Sequence, residues 1–211
     1  NGFWDWLIYR RSQEAPQAHS RKVVNIPGDD SEQERKMSFL TAGGVVAVHA
    51  RGRDRTAIWD AMERKEVYGT SGHRMLLWFD LVLAEGQQLP MGSELATADA
   101  PEFRVTAVGS FKQLPGCPDY VRQAVGARRL DQLASGECYH PSDERYLIDR
   151  IEVVRIRPQL AADEPISGLV DDVWMSIPCE PDPAGCSVSF SDETFPQSGR
   201  DAVYYVRAIE E

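Results

Sequence analysis

Met75-Leu76-Leu77-Trp78-Phe79-Asp80-Leu81-Val82-Leu83 repeats with a period of two. Its odd positions are all apolar and its even positions mix Leu76, Trp78, Asp80 and Val82, the pattern of a strand that buries one face and shows the other. Further strand signals follow at Phe103–Val108, Leu147–Ile156, Asp172–Ile177, Ser187–Phe190 and Ala202–Ile209. Turn clusters at Leu89–Ser93, Pro115–Pro118 and Pro178–Gly185 punctuate them. Helical spacing intervenes at Pro118–Leu133, through Val121, Val125 and Leu130, ahead of Gly136. This succession predicts an antiparallel β-sandwich over residues 75–211.

Upstream the character differs. Val45-Val46-Ala47-Val48 is a near-continuous apolar run, which predicts a strand buried on both faces, of the kind that is usually parallel and followed by a helix. Asp54 is placed to cap that helix, and Ala57, Ile58, Ala61 and Met62 recur at helical spacing with Trp59 beside them. A helix ending near Val67–Gly69 is expected, with Trp59 in its core-facing bulk, where truncation to Ala costs about 3–5 kcal/mol. A single strand-helix unit of an α/β layer cannot stand alone and implies a domain completed elsewhere. Residues 1–42 are an aromatic segment (Phe3, Trp4, Trp6, Tyr9) that docks on the rest of the protein, then a polar loop with a short apolar island at Val23–Ile26. Residues 43–74 are the strand-helix unit and residues 75–211 the sandwich. From a start at Asn1 rather than Met, and an end just after a strand pattern, the chain is expected to be an excerpt of a longer polypeptide.

The 211 residues are 42% hydrophobic and carry a net charge of −10. That excess of negative charge, with no Lys/Arg tract to offset it, disfavours nucleic acid and acidic membranes as partners. The longest apolar stretch, Met75–Ala84, is interrupted by Asp80 and falls short of the roughly 20 residues a bilayer span needs. Oligomeric state is not legible.

The four cysteines, Cys117, Cys138, Cys179 and Cys186, form no C-x-x-C pair. Two disulfides, Cys117 with Cys138 and Cys179 with Cys186, are favoured on proximity over the other two connectivities, and reduced thiols fit the same spacing. If formed, the bonds imply an oxidising compartment, periplasmic or extracellular. His49 ends the apolar strand, where α/β folds place functional groups, and Arg51, Arg53 and Arg55 beside it could recognise an anion. The alternative is an interior imidazole beside a solvated arginine loop. His73, after the small polar turn Thr70-Ser71-Gly72, could help present backbone N–H groups to a phosphate or serve a simple connection. G-x-S-x-G, Walker, H-E-x-x-H and dinucleotide motifs are all absent from the sequence.

Gly43-Gly44-Val45-Val46-Ala47-Val48-His49-Ala50, Asp54-Arg55-Thr56-Ala57-Ile58-Trp59-Asp60-Ala61-Met62 and Val67-Tyr68-Gly69-Thr70-Ser71-Gly72-His73-Arg74 together resemble the late portion of a bacterial family of uncharacterised proteins related to the PHP (polymerase and histidinol phosphatase) metal-dependent hydrolases. Leu89-Pro90-Met91-Gly92, Gly136-Glu137-Cys138-Tyr139, Ile148–Arg155 and Ala202–Ala208 are similar to its C-terminal region. The resemblance implies an α+β, mainly β chain: an antiparallel β-sandwich preceded by a strand-helix remnant of a PHP-like β/α barrel. In the full-length protein it implies a barrel upstream holding divalent Mn, Zn or Fe and acting on a phosphoester-type substrate, with His49, Arg51 and Arg55 toward the substrate. This chain has neither an H-x-H pair nor a D-x-H triplet. No cofactor of its own is therefore expected, no catalytic residue is assigned, and its partner is the upstream part of its own polypeptide. Two rival readings are a sandwich that binds carbohydrate or protein through Trp174, Tyr204 or Tyr205, and a structural appendage. A row of exposed aromatics would favour the first, and uncovered apolar area on Gly44–Gly69 the second.

Overall fold

The computed structural model describes residues 43–134 and 138–211. The aromatic segment and loop expected over residues 1–42 lie outside the described residues, as does Gly136. Val45–Lys112 and Ser142–Glu211 form one compact unit, and Gln113–Pro141 belong to a second.

The first unit is built mainly of antiparallel sheets. β3 (Leu76–Val82), β4 (Gln88–Pro90), β5 (Glu102–Val108) and β10 (Cys186–Ser191) make a four-stranded sheet in the order β10-β5-β3-β4. β8 (Ile148–Ile156), β9 (Val170–Pro178) and β11 (Val203–Glu210) make a three-stranded sheet in the order β11-β8-β9. Every neighbouring pair in both is antiparallel. In β5, Phe103, Val105 and Ala107 are buried while Glu102 and Arg104 are exposed, so the two-residue period sorts the strand into an inner and an outer face. Leu77, Phe103, Val105 and Phe190 from the larger sheet share one core with Ile148, Ile151 and Val153 from the smaller, each large side chain contributing about 1.5–3 kcal/mol. Aromatic contacts cross between the layers: Phe103 lies 4.6 Å from Tyr204, and Trp174 lies 6.1 Å edge-on to Phe190. A disulfide between Cys179, just past β9, and Cys186, which opens β10, joins the outermost strands of the two sheets.

A buried polar cluster holds one end of this interior. The Asp192 side chain is 1% exposed and accepts hydrogen bonds from Arg155 Nη1 (2.9 Å), Tyr204 Oη (2.7 Å), and the Thr194 amide and hydroxyl (3.0 and 2.6 Å). Arg155 also donates Nε and Nη2 to Asp171 Oδ2 (3.0 and 2.9 Å) and stacks over Trp174. Burial pushes the Asp192 carboxyl up, yet the bonds from Thr194, Tyr204 and Arg155 outweigh it and hold the group below the usual aspartate range. Burial, and then the neighbouring Asp192, push the Tyr204 hydroxyl well up.

The stretch before β3 departs from expectation. β1 (Val45–Val48) pairs with β2 (Val67–Thr70) antiparallel, in register Val45 with Thr70, and among the described residues no strands pair in parallel. β1 is not buried on both faces, since Val46 is 67% exposed. The intervening helix α1 (Arg55–Glu63) is capped by Asp54, whose Oδ1 accepts the Ala57 amide at 3.0 Å. It ends earlier than the spacing suggests, because Lys65 adopts a left-handed φ of 60° and turns the chain into β2. Its buried side is made of small residues, Ala61 fully and Ala57 partly, while Ile58, Trp59 (60% exposed) and Met62 (49%) point outward. The stripe read from apolar spacing is therefore not the buried face: of its members only Ala57 and Ala61 turn inward, and the bulky residues are excluded from this core.

In the second unit the single helix expected over Pro118–Leu133 is two, α2 (Asp119–Val125) and α3 (Ala127–Ala134), divided at Gly126 with φ +82°. Cys117 and Cys138 are bonded, the Gly116 amide donates to Cys138 O at 2.7 Å, and Arg122 Nε donates to Cys117 O at 3.0 Å. β6 (Phe111–Pro115) and β7 (Tyr139–Arg145) form a two-stranded ribbon.

Two expectations follow for urea denaturation. Asp192→Ala removes one of the two carboxylates that hold Arg155 and the only acceptor of the Tyr204 hydroxyl among the described residues, and should cost about 2–3 kcal/mol at pH 7. Because the folded-state pKa of Asp192 is depressed, its contribution is complete above about pH 4 and lost as pH falls through its folded value, so the variant's acid limb should be flatter; a loss under about 1 kcal/mol would show that the cluster does not hold the sheets. Trp59→Ala, at an exposed site, should change stability by less than about 1 kcal/mol rather than by the cost of a core cavity.

Candidate functional site

His49 follows β1, and its Nε2 donates to Leu77 O at 2.8 Å, with the ring 5.5 Å from Tyr68 and 5.8 Å from Trp78. β4 pairs with β3 only over Asp80–Val82, so this margin of β3 has no strand partner at Leu77. His49, and Tyr68 through its hydroxyl on Met75 O at 3.0 Å, supply side-chain donors to backbone carbonyls there. Arg51, Arg53 and Arg55 are exposed, and Arg51 and Arg55 line neither of the cavities described below. The nearby Glu66 carboxyl is held below its usual range chiefly by Arg64 at 2.7 Å, against burial, with smaller pulls from Arg51 and His49. Of the three residues expected toward a substrate, His49 is thus engaged with the sheet and the two arginines stand in solvent.

His73 occupies the turn before β3. Its Nδ1 donates to Glu210 Oε2 at 2.6 Å and its ring stacks on Tyr146 at 4.7 Å. The Glu210 side chain, 6% exposed, also accepts the Ser110 amide at 2.5 Å and the Ser110 hydroxyl at 3.3 Å. A nucleophilic serine needs a base beside it, with an acid behind the base. Here the carboxylate stands between serine and histidine, so His73 cannot take the Ser110 proton and the trio works as a clamp on the last strand. A Cβ on Gly109 would fall 1.9 Å from Tyr146 O, so the neighbouring backbones meet there too closely for any side chain. Among the described residues no group of three or more His, Cys, Asp or Glu is placed to hold a metal ion.

Two cavities among the described residues of this unit bear on the site. The smaller, about 320 Å³, is lined by Arg155, Arg157, Asp192 and Thr194. Arg155 is committed to Asp171 and Asp192; Arg157 Nη2 donates to Gly168 O (2.6 Å) and Asp171 (3.4 Å), while its buried Nε has no hydrogen-bond partner. The larger, about 860 Å³, opens between β3 and β4 on one side and β11 on the other, with Tyr68, Phe79, Phe103 and Tyr204 among its lining. Met91–Thr97 form part of its wall. Gly92, at φ +86°, lies so close to the carbonyls of Arg64 and Lys65 that a Cβ would come within 2.3 Å of Arg64 O, and Lys65 Nζ binds Glu94 at 2.9 Å. That loop is therefore fastened to the α1–β2 turn. Asp80 on β3 also lines the cleft, and burial pushes its carboxyl up, with weaker opposing pulls from His49 and Arg104.

The aromatics weighed as a recognition surface do not form a row. Trp174 and Tyr204 pack against the shared core, while Tyr205 is 40% exposed and holds Arg207 Nη2 at 3.1 Å. The feature that sequence reading passed over is the cleft between β3, β4 and β11, while the exposed apolar face of α1 answers the uncovered area weighed for Gly44–Gly69 as the mark of a structural appendage.

No helix of the described residues is long and apolar enough to cross a membrane. No curated protein and no solved structure matches the chain. A family model described as a protein of unknown function (DUF3604) matches residues 8–113, half of the chain, spanning β1, α1 and the strands β2 to β5. The chain belongs to that DUF3604 family.

Proposed function

We propose that this chain is a C-terminal, non-catalytic portion of a PHP-like metal-dependent hydrolase, and that β1, α1 and β2 form the face by which its sandwich docks on the upstream barrel of the same polypeptide. The observation that carries the reading is the helix that packs through Ala57 and Ala61 and leaves Ile58, Trp59 and Met62 outside, beside an exposed Val45 and Val46. Bulky apolar residues grouped on one small unit mark a surface with a partner. The motif resemblance supplies the identity of that partner, a barrel whose bound Mn, Zn or Fe would activate water toward a phosphoester. The described residues offer no ligand set for such a metal, and no step of that chemistry is assigned to them. His49 keeps the docking unit on the edge of β3, and exposed Arg51 and Arg55 extend from that unit toward the upstream partner's substrate. The two disulfides fit a periplasmic or extracellular setting.

Hydroxyl-radical footprinting tests the docking. In this chain Trp59 and Met62 should oxidise readily; in the full-length protein both should be protected, and Trp59→Asp should restore their neighbourhood's labelling. Equal oxidation of the two forms would overturn the reading. With Mn²⁺ or Zn²⁺ and p-nitrophenyl phosphate, this chain should show background hydrolysis and the full-length protein turnover; clear turnover by this chain would overturn its non-catalytic role.

A further inference from the structure

We propose that the cleft between β3, β4 and β11 receives an extended peptide segment, apolar at alternate residues and basic at one end, which adds to the free edge of β11 as a further strand. This goes beyond the docking role and uses a different part of the unit.

The two stacked sheets are unequal. The Cys179–Cys186 bond joins β9 to β10 at one margin, and β5 meets β8 in the middle of the stack. Counted from that margin, β11 comes opposite β3, and among the described residues the smaller sheet has no strand to set against β4. The cleft of about 860 Å³ lies in that place. Its lining shows which part of β11 it meets. Tyr204 and Val206 pack on the shared core while Val203 and Tyr205 alternate with them and are exposed, yet all four border the cleft. The cleft therefore runs along the margin of the strand and not over one of its faces.

That margin is unspent. β11 pairs with β8 on one side, and among the described residues no main-chain group of Val203–Val206 is bonded on the other. Every second amide and carbonyl there lacks a main-chain partner. Edge strands are commonly blunted by charge or proline, and Val203-Tyr204-Tyr205-Val206 has neither. An extended backbone repeats donors and acceptors at the spacing of this margin, the basis of strand addition.

The walls then select the side chains. Alternate residues of an added strand would point inward, where Leu77, Phe79, Leu81 and Leu95 offer apolar surface. Asp80 alternates with Phe79 and Leu81 and pairs in register with Arg104, so its carboxylate belongs to the outer face of the sheet. Lys65 and Glu94 neutralise one another at 2.9 Å. Asp201, exposed at the mouth just before β11, has no ion-pair partner among the described residues, in a chain of net charge −10. A basic residue at the end of the segment complements it.

The test is a calorimetric and NMR titration of the full chain with a capped heptapeptide that alternates valine with threonine and ends in lysine. Binding should saturate below about 1 mM, and amides within Val203–Val206 should gain protection from hydrogen exchange. N-methylating every second amide of the peptide, in one of the two possible frames, should abolish binding, because it removes the donors that face β11 while leaving the side chains in place. Leu95→Lys, at an exposed position, should keep the parent Tm and weaken the peptide about tenfold. The proposal fails if nothing saturates, if both N-methylated frames bind as the parent peptide does, or if protection appears away from β11. A concentration-dependent dimer that the peptide dissociates would make a second copy the occupant and would equally overturn it. Trp59→Asp should leave the peptide's affinity unchanged, which separates this outcome from the fate of the docking face.

Discussion

A carboxylate withdrawn from water costs several kcal/mol unless donors replace the solvent it has lost. Asp192 meets that condition with four bonds from three residues, the neighbouring Thr194 and two, Arg155 and Tyr204, that lie on other strands. Arg155 comes from β8, Tyr204 from β11, and Asp192 and Thr194 from the segment that leaves β10, so the cluster closes only when the smaller sheet has stacked on the larger. Hydrophobic burial would bring the layers together in several registers with little preference. The directional bonds at Asp192 select one of them, and the stack of Phe103, Phe190, Trp174 and Tyr204 beside it follows from that choice.

The same economy of position shows in α1. Alanine faces the unit because β1 and β2 leave little room, and the bulky members of the apolar stripe are turned away. A helix arranged so is poorly stabilised by its own domain, since the residues able to bury most area bury little. Its short length and its Asp54 cap hold it in shape, ready for a surface that receives Ile58, Trp59 and Met62 together.

The strands that form the shared core were legible because one face of each is apolar and the other is not; β3, β5, β8, β10 and β11 fall within a residue or two of their sequence patterns. The disulfide pairing was legible by proximity along the chain. β7 was not, because Tyr139-His140-Pro141-Ser142-Asp143-Glu144-Arg145 has no apolar alternation and its pairing with β6 depends on main-chain groups. The direction of β1 was misjudged for a different reason: an apolar run reports a preference for contact, without saying whether the contact lies inside this unit. Gly126 divides a helix whose spacing reads as continuous, since a positive φ leaves no trace in periodicity. The cleft escapes linear reading altogether, drawing its walls from Lys65 through Val206.

The sulfur bridge from Cys179 to Cys186 lies along one margin of the stacked layers, where β9 and β10 are outermost, and the cleft opens at the far margin, where β4 and β11 are. The arrangement is that of a bound book. The spine is sewn by a covalent bond between β9 and β10, and among the described residues no disulfide joins β4 to β11 at the opposite margin.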